Sequence, residues 1–108
     1  MVDINNLETM LESGQDTALL RFTLGNAFIR HEKYEEAVVH LARAVELDPG
    51  YSAAWKSYGK ALAGLGRLDK AAEVYRRGMA IANKKGDKQA AREMEVFLKR
   101  LEKVRGKG

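Results

Sequence analysis

The sequence is 108 residues long, 45% hydrophobic and 31% charged, with a net charge of +4, one proline and no cysteine. A chain of this size supports one modest core, and its wealth of alanine, leucine, lysine, arginine and glutamate favours helices over sheet. The lack of cysteine excludes disulfides, thiol catalysis and thiolate-bound metals, and makes the cytoplasm the expected compartment.

Ile4, Leu7, Met10 and Leu11 recur at helical spacing up to Gly14, which predicts a short capping helix within residues 1–16. The opening Met1-Val2-Asp3-Ile4-Asn5-Asn6 lacks the basic-then-apolar pattern of an export signal. No apolar run anywhere approaches the roughly 18 residues of a membrane span. A soluble, unexported protein is therefore expected.

A second helix is predicted over residues 17–30, with Leu20, Leu24, Ala27 and Phe28 on one side and Asp16 as its N-cap. His31-Glu32-Lys33 turns the chain into a third helix over 34–47, directing Ala37, Val38, Leu41, Ala44 and Val45 inward. Asp48-Pro49-Gly50 stops it, because proline cannot continue a helix and glycine accepts a left-handed turn. Further helices are expected over 52–65 and 68–82, separated by Gly66-Arg67. Finally, Asp87 is placed to cap a helix carrying Ala90, Met94, Phe97, Leu98, Leu101 and Val104 until Gly106.

Sliding the sequence against itself by 34 residues superposes Gly25 on Gly59, Phe28 on Leu62, Ala37 on Ala71 and Leu41 on Tyr75. Ala44 falls on Gly78, Leu24 on Tyr58 and Leu47 on Ile81. Every match pairs small with small or bulky apolar with bulky apolar, which marks an internal repeat. Antiparallel helices approach closely where side chains are small, so Gly25 is expected against Ala37, and Gly59 against Ala71. Each hairpin leaves an apolar face bare and must stack on a neighbour.

These residues resemble the tetratricopeptide-repeat (TPR) family, whose signature is W-x2-L-G-x2-Y, A-x3-F and P on a 34-residue period. The first unit reads Arg21, Leu24, Gly25, Phe28, Ala37, Leu41, Ala44 and Pro49. The second reads Trp55, Tyr58, Gly59, Leu62, Ala71, Tyr75 and Gly78, with Asn83 in the proline slot. The resemblance implies a single all-α domain with repeats at 18–51 and 52–85, flanked by capping helices at 1–16 and 87–105. Six helices would stack as three hairpin-like layers in a short right-handed superhelix.

Chemistry finds no footing in the sequence. His31 and His40 are nine apart, one in a turn and one on a predicted outer face, with no carboxylate to complete a metal site. Gly64-Leu65-Gly66 ends a helix, whereas a phosphate-binding loop follows a strand and opens a helix. Glu35, Glu36, Glu93 and Glu95 fall on solvated faces by periodicity. No enzyme and no cofactor are expected.

The resemblance instead implies a protein-interaction module, an adaptor or scaffold holding a peptide or helix in a concave groove. The first helix of each repeat would line it, with Leu19, Phe22, Asn26, Ile29 and Arg30, then Ala53, Lys56, Ser57, Lys60 and Ala63. Some family members grip acidic chain ends through a carboxylate clamp of lysines, asparagines and an arginine. Here Asn26 matches one asparagine, but Phe22 and Ser57 stand in a lysine slot and an asparagine slot. Lys88 and Arg92 fit only after a one-residue shift. A looser cationic groove of Lys56, Lys60, Lys88 and Arg92, with Phe22 and Leu19 for an apolar side chain, would suit an acidic peptide.

The basic character is concentrated in residues 84–108, with nine basic residues against four acidic. Lys99, Arg100, Lys103, Arg105 and Lys107 cluster there, but glutamates interrupt them and no aromatic platform accompanies them, which argues against nucleic acid. The alternative function is self-association: Phe97 and Leu101 would make the last helix a dimer seam. Monomer and homodimer both remain open at this point.

Overall fold

The computed structural model describes residues 3–106; Met1 and Val2 of the opening segment and Lys107 of the basic cluster lie outside the described residues. Among these described residues six helices occur in chain order: α1 (Ile4–Glu12), α2 (Ala18–Arg30), α3 (Tyr34–Leu47), α4 (Ser52–Gly64), α5 (Leu68–Lys85) and α6 (Lys88–Arg105). No strand occurs among the described residues. Consecutive helices pack as neighbours, α2 with α3, α3 with α4, α4 with α5 and α5 with α6. In addition α2 touches α4 and α4 touches α6. The helices α2, α4 and α6 therefore form one row, while α3 and α5 stand on the other side; α1 packs against α2.

Several helix ends are set by side chains that satisfy the orphan N–H groups of the first turn. The Asp3 carboxylate accepts from the Asn5 amide at 2.9 Å, and Asp87 accepts from the Ala90 amide at 3.2 Å. Asp16, expected to cap α2, does not. Thr17 takes that place, its hydroxyl oxygen accepting from the Leu20 amide at 3.1 Å. Asp16 is drawn instead to two guanidinium groups, Arg21 at 2.7 Å and Arg43 at 3.4 Å. A charge-assisted pair with two arginines competes well against one amide. α5 also runs past Ala82 to Lys85, because Asn83 lacks the geometric veto of proline; Gly86, at φ +80°, ends it.

The small residues of the repeat work differently from the small-to-small contact expected. A Cβ on Gly25 would run into Leu41, and one on Gly59 into Tyr75. Each glycine opens a hollow that receives the bulky residue of the facing helix, so the hairpin crossing is packed knob into hole. Gly78 does the same between layers, lying under Trp55 and Met94. The core falls into two linked clusters. Leu20, Leu24, Phe28, Ala37, Leu41 and Ala61 centre on the first hairpin, and a larger set including Trp55, Leu62, Tyr75, Met94 and Leu98 joins α4, α5 and α6. Phe22, Val38 and Tyr58 touch both.

Candidate functional site

Between α2 and α4 runs a groove of about 320 Å³. Four side chains of α2 line one wall, Phe22, Asn26, Ile29 and Arg30. The other wall comes from α4, with Ala53, Lys56, Ser57 and Lys60. The sets run i, i+4, i+7, i+8 on α2 and i, i+3, i+4, i+7 on α4, so a single helical face supplies each wall. The opposite faces of the same helices, with Leu24, Gly25 and Gly59, are buried. Phe22 is fixed by the Tyr51 ring, with centroids 4.9 Å apart.

The charges of the groove are unequal. Lys56 Nζ lies 2.6 Å from Glu93 Oε1, a half-buried pair contributed by α4 and α6. That pairing holds the Glu93 carboxyl below its ordinary value, first through the hydrogen bond and then through the lysine charge. Lys60 lies 5.9 Å above the centre of the Phe97 ring, and Arg30 is exposed. Neither has a carboxylate within ion-pair distance among the described residues. Ser57 contributes little polar surface, being only 6% exposed.

Lys88 and Arg92 do not join this groove. They line a separate hollow with Met79, Asn83, Ala91 and Glu95, between α5 and α6. Leu19 is 65% exposed and lies outside the groove lining. Phe97 and Leu101 turn inward: Leu101 is 8% exposed within the larger core, and Phe97 packs at 5.9 Å against Tyr75. The apolar residues that α6 leaves to solvent are Val96 and Val104.

Residues 22–85 match the Tetratricopeptide repeat family. The chain belongs to that family. It is 48% identical over 102 residues to TPR repeat-containing protein PA0015 of Pseudomonas aeruginosa, spanning 94% of this chain and 97% of that one. The solution structure of protein BPP2914 from Bordetella parapertussis is similar at a TM-score of 0.83 and 42% identity, spanning 96% of this chain and 90% of its own. The second TPR domain of human RPAP3, solved in complex with the HSP70 peptide SGPTIEEVD, is similar at a TM-score of 0.76 and 28% identity. That likeness spans 92% of this chain and 78% of the human one.

Two features of this TPR domain escaped the sequence reading. Glu93, assigned by periodicity to a solvated face, reaches the groove lysine 37 residues earlier in the chain. A separation close to one repeat was the available signal, since residues one repeat apart sit on adjacent helices of the same row. His40, expected on an outer surface, is half-buried and stacked on Phe28 with ring centres 5.5 Å apart. Arg21 donates to its Nδ1 at 3.1 Å, which requires a lone pair there and so places the ring proton on Nε2. Burial, followed by the Arg21 charge, pushes the His40 pKa down.

Proposed function

We propose that this TPR domain is a protein-binding module that lays an extended acidic segment along the groove between α2 and α4. The observation carrying this reading is the pair of exposed cations, Arg30 and Lys60, which lack a carboxylate partner beside an apolar floor of Phe22 and Ile29. A ligand carboxylate would satisfy the cations through charge-assisted hydrogen bonds, and a neighbouring apolar side chain would cover Phe22. The human TPR domain similar to this chain supports the reading, since its peptide SGPTIEEVD carries two glutamates and an aspartate at its end. An adaptor or scaffold role in the cytoplasm follows as our assignment; no described helix is long and apolar enough to cross a membrane.

The groove is tested by affinity capture from a lysate of the source organism, comparing the natural chain with an Arg30→Glu/Lys60→Glu double variant. Proteins held by the first and lost from the second place the contact in the groove. Arg92→Glu, on the separate hollow, should capture normally. Equal capture by natural chain and double variant would sink the reading.

A further inference from the structure

The least exposed cation of the groove is already neutralised from within the chain. Lys56 has a side chain only 28% exposed, against which α6 places the Glu93 carboxylate at 2.6 Å. The geometry fixes this contact from both sides. α4 packs against α6, Asp87 at the start of α6 accepts the Ser52 hydroxyl at 2.8 Å, and Phe97, one turn after Glu93, lies beneath Lys60. Glu93 therefore presents to the groove the same chemical group that an acidic ligand would bring.

We propose that Glu93 is a resident competitor for the ligand carboxylate, a specificity-determining residue that lets Lys56 accept an acid only by exchange. This inference rests on the groove reading above. A tethered group competes at an effective concentration of about millimolar, far above that of a free ligand. While it remains in place, its negative charge also repels a second carboxylate approaching Lys56. A ligand with a single acid gains Arg30 or Lys60 and stops there. One with two or more acids gains enough along the groove to displace Glu93, which is then free to turn to solvent, its side chain being already 40% exposed. The partner selected is accordingly a segment with clustered carboxylates. Isolated ones gain only Arg30 or Lys60 and are held more weakly.

The probe is a fluorescent SGPTIEEVD peptide, titrated into the natural chain and into Glu93→Gln and Glu93→Ala variants. Glutamine keeps the shape and helix propensity of the side chain and removes its charge, while alanine removes the group entirely. Circular dichroism melts establish that both are folded. Both variants should bind roughly tenfold tighter than the natural chain, the scale of one charge-assisted hydrogen bond recovered by the ligand. Adding Lys56→Met to Glu93→Gln should erase the gain. Equal or weaker binding by the variants than by the natural chain overturns the competitor and leaves the groove reading standing. No binding by any form also overturns it, because an unmasked Lys56 should take the peptide. The groove reading is decided separately, by capture with the Arg30→Glu/Lys60→Glu variant.

Discussion

The two halves of the molecule are built on the same repeat yet finished very differently. In the first half, α1 has nine residues, none of them buried, and its apolar Ile4, Leu7 and Leu11 lie half-covered on α2. In the second half, α6 has eighteen residues and buries Ala90, Ala91, Met94, Leu98 and Leu101. It is also tied down by charge. Arg76 reaches Glu102 at 2.6 Å, and Arg105 reaches Asp69 at 2.9 Å, in addition to the Lys56–Glu93 contact. Ion pairs open to solvent are screened and contribute little, so burial rather than charge makes the difference. An apolar stripe at helical spacing is present in both end helices. What separates them is length, and the adjacent small residues Ala90 and Ala91, which let α6 approach closely.

The contrast is broken most sharply at Met94. It is fully buried and lies against Gly78, at the point where α4, α5 and α6 meet. Met94→Ala should cost about 2–5 kcal/mol, the range for emptying a core site of this size. Leu7→Ala on the loose α1 should cost about 1 kcal/mol or less, because that side chain keeps much of its exposure in the fold. Urea midpoints of the two variants, with unchanged slopes, provide the check. A comparable loss at both positions would mean that the two ends are held alike.

The turns of the two hairpins offer a smaller version of the same test. Glu32 and Gly66 stand 34 residues apart at equivalent positions, and both adopt positive φ, 57° and 78°. Glycine takes that conformation without strain, whereas a residue with a Cβ does not. The first half thus carries a strain that the second has removed. Glu32→Gly should stabilise the protein by about 0.5–1 kcal/mol, and Gly66→Ala should destabilise it by about 1 kcal/mol or more. Thermal melts of the pair read both signs. A loss from Glu32→Gly would show that the glutamate side chain does something its exposed position does not reveal.

Much of this contrast was legible in the sequence, and the rest was hidden for physical reasons. The repeat declared itself because glycine and alanine must recur wherever helices cross, and the crossings recur every 34 residues. Asp87 was legible as a cap because its carboxylate needs only the backbone of its own first turn. Asp16 misled for the same reason in reverse: its partners Arg21 and Arg43 come from α2 and α3, and local spacing says nothing of the second. The walls of the groove on α2 and α4 follow from one period. α6 does not, because α5 continues to Lys85, and α6 begins 36 residues after α4 whereas α4 begins 34 after α2. A helix turns about 100° per residue, so a shift of one position replaces Arg92 by Glu93 on the face toward α4. That single step converts an expected cation into the acid that neutralises Lys56.

The smallest effect expected is one of pH, and it separates the halves by where each titrates. His40 in the first half is held neutral by burial and by Arg21, against the opposing pull of the Glu8 and Asp16 carboxylates. Its folded pKa therefore lies below the ordinary 6.5, so the unfolded chain takes up the proton first. The stability it contributes is present above pH 6.5 and is lost as the pH falls through the folded value. Asp87 in the second half is also lowered, by the Ser52 hydroxyl and the Ala90 amide, but from 3.8. Its contribution is complete above that value and is lost only in stronger acid. Between pH 7.5 and 5.5 the natural chain should thus lose stability through His40 while the α6 cap is untouched. His40→Gln should flatten the urea midpoint over that interval and leave the later, acid loss in place. A slope that survives the substitution would move the sensitive group away from the Arg21–His40 contact.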